Sequence, residues 1–259
     1  NSAGKTLVST TTGIAQQEGL LNINNKVSQY LGNGWSSEPL EKENLITNRN
    51  LLTMTSGLND ESNWVIKSNL TYLADAGTRW SYSNVFQKLI DVVAASSNQT
   101  FENYFNAKLK NKIGMDGFWN FGTIFTIYHS NTRSMARFGL LFLNKGKWKN
   151  EQIINETYLN EAISTSQNIN PSYGYLWWLN GKSKYMVPGS QTVYPTALVP
   201  NAPADMYAAM GAEDQRIYVI PSKNMVVIRM GDASDPQNPN FALSGFDAAL
   251  WDKINAVVR

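Results

Sequence analysis

At 259 residues, with 42% apolar and 16% charged side chains, the chain is long enough for one large domain or two closely packed ones and too apolar to be disordered. A formal charge of +2 with scattered Lys and Arg excludes a nucleic-acid track; the absence of Cys and a single His (His129) exclude disulfide and thiolate chemistry and an imidazole metal cluster. No stretch approaches the roughly 18 apolar residues of a membrane span, and no metal or other cofactor is implied.

Ser2 and Lys5 stand three residues apart where a helix is expected to begin, so they share a face, with Cβ atoms roughly 5–6 Å apart. A serine becomes a nucleophile when a neighbour takes its proton, and a lysine amine does so once burial or nearby positive charge lowers its pKa. From Lys5 to Gln17 the residues are small or apolar (Leu7, Val8, Thr11, Gly13, Ile14, Ala15), as suits a helix enclosed by protein, and Gly19 ends it. Val27, Tyr30 and Leu31 mark a short helix. Thr47 caps another that carries Leu51 and Leu52 and stops at Gly57. The stretch 59–78 predicts irregular backbone, after which Ser83 or Asn84 leads into a helix with Leu89, Ile90 and Val93 inward. Phe101, Phe105 and Leu109 repeat at helical spacing. Thr132 caps a helix through Met135, Phe138 and Phe142 that ends near Lys145-Gly146, and 153–162 predicts one more.

Beyond Pro171 the period changes. The runs 173–179, 206–210, 216–220 and 225–230 are short and β-prone, and Leu243, Phe246, Leu250, Ile254 and Val257 then predict an amphipathic terminal helix. Helices, then strands, then a closing helix point to an α+β fold: an antiparallel sheet with flanking helices and a helical subdomain over roughly 20–165, all within one domain, 1–259.

Four local signatures, in this order, carry a resemblance: Ser2-Ala3-Gly4-Lys5, Leu51-Leu52-Thr53-Met54-Thr55-Ser56-Gly57-Leu58, Gly77-Thr78-Arg79-Trp80-Ser81-Tyr82-Ser83-Asn84, and Met135-Ala136-Arg137-Phe138-Gly139-Leu140-Leu141. With Gly174-Tyr175-Leu176-Trp177-Trp178 and the terminal strands and helix, the chain resembles the serine β-lactamase-like hydrolases. These include class C β-lactamases, D-alanyl-D-alanine carboxypeptidases, family VIII esterases and 6-aminohexanoate-dimer hydrolases. The resemblance implies a penicillin-binding-protein-like α+β fold and acyl transfer from a small-molecule amide or ester to a serine.

By the same resemblance, Ser2 is the acylated nucleophile, Lys5 accepts its proton or holds the proton-transfer network in place, and Tyr82, between Ser2 and the leaving group, relays the proton as general base and then acid, its phenol pKa lowered by Lys5. Asn84 would bond Lys5 or the substrate's amide. The backbone N–H groups of Ser2 and of a residue on the edge strand, with Gln215 the nearest candidate, would form an oxyanion hole. The element Gly211-Ala212-Glu213-Asp214-Gln215-Arg216 departs from the family's pattern, which has a basic residue here. Glu213 and Asp214 would repel a substrate carboxylate unless they point away or pair with Arg216; they would suit an amine or a neutral amide, or else sit in a solvent-facing turn.

His129 lacks a Gly-x-Ser-x-Gly partner and suits a loop near the cleft. Trp177 and Trp178 would face opposite ways on a strand, one into the core and one, Trp178, toward a pocket or seam. Two functions stand: a serine hydrolase working through an acyl-enzyme, and a binding or sensor module that kept the fold and lost turnover. Because the chain begins inside a functional element, the natural polypeptide is expected to extend upstream by tens of residues, with room for an export signal; strands and a helix there would cover a sheet edge and the apolar face of the terminal helix.

Overall fold

The computed structural model describes residues 2–237, 243 and 245–258. A 3₁₀ turn, Ser2–Gly4, runs directly into helix α1, Lys5–Gln17, which is buried from Lys5 through Ala15. A buried helix rich in hydroxyls must satisfy them internally. Thr10, Thr11 and Thr12 do so by donating to the carbonyls of Thr6, Leu7 and Val8 at 2.8, 2.7 and 2.9 Å. Gly13 is required by a close approach: a Cβ there would lie 2.2 Å from the ring of Tyr158, whose hydroxyl donates to the Ser9 carbonyl at 2.8 Å. Helices α2 (Lys88–Ser97) and α4 (Glu156–Ala162) pack along α1, with α3 (Thr132–Leu143) between them in the sequence.

Thr47 caps the helix Asn48–Leu52 through a capping box with Asn50. Two boundaries differ from expectation. Asn131 rather than Thr132 caps α3, and α4 starts after the Asn155 cap rather than at 153; in both cases the Asn side chain accepts from the first-turn backbone. A hairpin that the sequence pattern did not reveal, β1 (Phe118–Asn120) with β2 (Ile127–His129), is antiparallel and carries the loop 121–126 at its tip.

The main sheet has the order β3-β4-β5-β6, formed by Trp178–Leu179, Tyr207–Gly211, Gln215–Ile220 and Met225–Arg229, every neighbouring pair antiparallel. Ile217 turns to the face covered by α3, where Gly139 admits Val226: a Cβ on Gly139 would stand 2.5 Å from Val226 Cγ1. Tyr218 turns to the opposite face and meets Trp251 of the terminal helix α5, Gly245–Val257, with ring centroids 5.7 Å apart.

The run 173–179 forms a strand only at Trp178–Leu179, because Leu176 takes a left-handed φ of 62° that breaks the extended backbone. The terminal helix also differs from the expected apolar stripe. Its buried residues are Asp247 and Trp251, whereas Phe246, Leu250 and Ile254 are half-buried and Val257 is exposed. What docks this helix is a buried carboxylate: Asp247 accepts from Arg216 Nε at 2.7 Å and Nη2 at 2.9 Å, and from the Tyr218 hydroxyl. No helix among the described residues is long and apolar enough to cross a membrane.

Candidate active site

The turn Ser2–Gly4 and the first residue of α1 place Ser2 and Lys5 side by side, with Lys5 Nζ donating to Ser2 Oγ at 2.8 Å. Lys5 is buried, its ammonium 4.7 Å from the ring centre of Tyr82 and 4.6 Å from that of Phe86. Burial, with no carboxylate beside it among the described residues, lowers its pKa from the ordinary 10.5 to about 7. Near neutral pH, then, a large fraction of Lys5 is the free amine that can accept a proton from Ser2.

Tyr82 shares a side-chain hydrogen bond with Ser2, but burial raises its pKa above the ordinary phenol value. This corrects the expected lowering by Lys5. A half-neutral amine supplies too little positive charge to outweigh desolvation of a phenolate, so Tyr82 stays a neutral phenol. Trp178 lies behind it, stacked on Tyr82 at 5.6 Å and edge-on to Trp80 and Tyr173. At 1% exposure Trp178 is part of the packing that fixes Tyr82 and is not a wall of the cleft. Trp177, on the other face, packs on Phe138, Phe142 and Tyr207.

Ser2 and Tyr82 open into a cleft of ≈ 580 Å³ whose other walls include Asn84, Glu61, Phe125 and the segment 188–191. Asn84 does not bond Lys5. Its amide Nδ2 donates to the carbonyls of Ile124 at 2.9 Å and Asn63 at 3.2 Å, and Gln87 Nε2 adds a bond to Ile124 at 3.1 Å. Val65 N–H to the Thr123 carbonyl, 2.8 Å, completes the seam between the two loops. Arg79 in the same wall is held by Asp60, with Nε and Nη2 at 3.1 and 3.0 Å from Oδ2.

Sequence reasoning missed Asp60, Glu61, Phe125 and 188–191, which reach the cleft from loops distant in sequence and carry no periodic signal. Arg79 lies inside a quoted signature, although its role there was not evident.

The β4–β5 hairpin places the remaining candidates. Glu213 and Asp214 form its tip with left-handed φ values of 61° and 57°. Glu213 is exposed, and Asp214 is buried, accepting from Arg216 Nη2 at 3.2 Å and from the Ser234 backbone N–H at 2.9 Å. Neither lines the cleft, so the repulsion argued from this acidic pair does not apply there. Arg216 is the basic partner that turns Asp214 inward.

Gln215 is likewise displaced from its expected role. It stands opposite Gly211 in the β4–β5 register, and its side chain bonds back to the carbonyls of Glu213 and Gly231. The strand edge against the Ser2–Gly4 turn belongs to β4. β3 pairs with β4 only at Ala208 and Tyr207, and Asn180 N–H bonds the Met206 carbonyl. Backbone groups alternate between the two edges of an antiparallel strand, so those of Met206, Ala208 and Met210 share one edge, and Met210 lies beyond the end of β3. His129 is exposed and stacked on Phe118 at 5.0 Å, outside the cleft lining.

The arrangement sets a helix-headed Ser and Lys against the edge of an antiparallel sheet, with a Tyr from the helical side. The chain belongs to the beta-lactamase family, whose model matches residues 1–243. It shares its fold with a family VIII carboxylesterase (12% identity, 97% of this chain and 80% of that one, TM-score 0.74). It is similarly related to a penicillin-binding-protein homologue from Caulobacter crescentus (10%, 98% and 82%, 0.73). A third such structure is a beta-lactamase from Mycobacterium bovis (19%, 98% and 85%, 0.70). No curated protein matches the sequence.

Proposed function

We propose that the protein is a serine hydrolase that cleaves a small ester or amide through an acyl-enzyme on Ser2. The observation that carries this reading is the 2.8 Å contact between Ser2 Oγ and a buried Lys5 whose pKa is about 7. Lys5, as the free amine, takes the hydroxyl proton as Ser2 Oγ bonds to the substrate carbonyl carbon. The carbonyl oxygen gains the negative charge, and backbone N–H donors are needed where it develops. Ser2 N–H at the head of the helical turn and Met210 N–H on the facing edge of β4 are the donors assigned here, in place of Gln215.

Collapse of the adduct breaks the bond to the leaving group. Neutral Tyr82 gives its hydroxyl proton to that group and takes one back from the Lys5 ammonium, since the acylated Ser2 oxygen has no proton to pass on, so protons balance over the half-reaction. Water then attacks the acyl-enzyme by the reverse sequence. A fluorophosphonate probe followed by peptide mapping tests the assignment: Ser2 is expected to carry the label. Ser2→Ala is expected to lose both the label and the hydrolysis of a short-chain p-nitrophenyl ester. Labelling elsewhere, or none on folded protein, would refute it.

A further inference from the structure

In extended backbone, side chains two residues apart share a face. Ser83 is extended (φ −135°, ψ 171°), so Tyr82 and Asn84 point the same way, roughly 7 Å apart along the chain. Both line the cleft with Ser2. The polarity of the Asn84 amide is fixed by its surroundings. Two carbonyl oxygens, from Ile124 and Asn63, lie at 2.9 and 3.2 Å on one side, and only the NH2 group can face them. Oδ1 is therefore the polar atom that Asn84 turns to the cleft. It accepts from no group among the described residues, although Asn84 as a residue is only 9% exposed.

The charged groups of the same wall add a sign. Arg79 is neutralised by Asp60 at 3.0 Å, whereas Glu61 is exposed and forms no ion pair among the described residues. The cleft that Ser2 opens into therefore offers one fixed acceptor, Asn84 Oδ1, and, besides the paired Asp60, one carboxylate held in no ion pair, Glu61.

We propose that this subsite binds a hydrogen-bond donor carrying positive charge, a primary ammonium on the acyl group within a few bonds of the scissile carbonyl, with Asn84 Oδ1 accepting its N–H and Glu61 supplying the counter-charge. Asn84 is thus a specificity residue read by its oxygen and not by its NH2. This inference rests on Ser2 as the acylated nucleophile.

The test compares p-nitrophenyl esters of glycine, of N,N,N-trimethylglycine and of propanoic acid, each rate taken over that ester's spontaneous hydrolysis. The readouts are kcat/KM and the protection of Ser2 from a fluorophosphonate, so slow deacylation still gives an answer. The glycine ester is expected to exceed both others by about tenfold or more, since a hydrogen bond to a charged group contributes that much. Asn84→Ala should bring the glycine and trimethylglycine esters together, and Glu61→Gln should remove the advantage of both cations over propanoate. The wild-type comparison stands even if Asn84→Ala loosens the loops. A trimethylglycine ester that equals the glycine ester would overturn the donor assignment, and a propanoate ester that equals both would overturn the charge as well. In either case continued labelling of Ser2 would leave the hydrolase reading intact, whereas loss of labelling would remove that reading first.

Discussion

Replacing Lys5 by Met is expected to destroy activity and to stabilise the fold, in a way that depends on pH with a fixed sign. The linear Met side chain keeps the contacts with Tyr82 and Phe86 while removing the amine from its buried site. Lys5 has an ordinary pKa of 10.5 and a folded value of about 7. At ~1.4 kcal/mol per pH unit, that separation makes the wild-type fold about 5 kcal/mol less stable below pH 7 than it would be with an amine that never ionised. Between the two values the unfolded chain binds a proton that the folded one does not, so wild-type stability rises with pH. Allowing for lost contacts of the ammonium with the two rings, Lys5→Met should be about 3–5 kcal/mol more stable than wild type at pH 6. The gap should shrink by ~1.4 kcal/mol per pH unit from pH 7 and close between about pH 9 and pH 10.5. Urea unfolding of both proteins at pH 6, 7, 8 and 9 measures the difference, in which all other titrating groups cancel. A gap that does not change over this range would refute the assignment of a desolvated, carboxylate-free lysine beside Ser2.

The same amine sets the pH dependence of activity: kcat/KM for a neutral ester should rise through a midpoint of about 7 as Lys5 loses its proton, with no fall through pH 9 because the Tyr82 phenol is pushed above its ordinary value. Asp247→Ala leaves the buried Arg216 without its bidentate partner and should cost about 3–5 kcal/mol in chemical denaturation. Glu38 shows the opposite linkage to Lys5. Burial, with Glu43 adding to it, raises its pKa from 4.5 to about 7, so the stability it permits at low pH is lost as pH rises from 4.5 to 7. Glu38→Gln should therefore raise the melting temperature at pH 8 and leave it nearly unchanged at pH 4, which thermal unfolding at the two pH values checks.

The parts of this molecule that were legible in the sequence are those in which one element carries its own pattern. Ser2 and Lys5 are joined by helical spacing, Thr47 by its cap, and β4, β5 and β6 by runs of β-prone residues long enough to register. What escaped depends on closure between elements. The three-residue strands β1 and β2 are too short to show a period, yet their tip loop supplies Ile124, whose carbonyl fixes the polarity of Asn84. Asp214, Arg216 and Asp247 form one buried cluster from a hairpin and from a helix 31 residues beyond Arg216, and that cluster, with Ser234, holds Asp214 away from the cleft. Pairing of Asp214 with the nearby Arg216 is open to the sequence, whereas Asp247, which joins Arg216 in the buried cluster, lies in a distant helix and gives no local signal. Tyr82 shows the same limit in its chemistry. The sequence places a lysine near a phenol, and charge alone would then lower the phenol's pKa. In the folded protein the lysine is itself desolvated to a pKa of about 7, so burial governs both groups, and it is this that divides the roles in the proposed mechanism, Lys5 as base and Tyr82 as the neutral carrier of a proton.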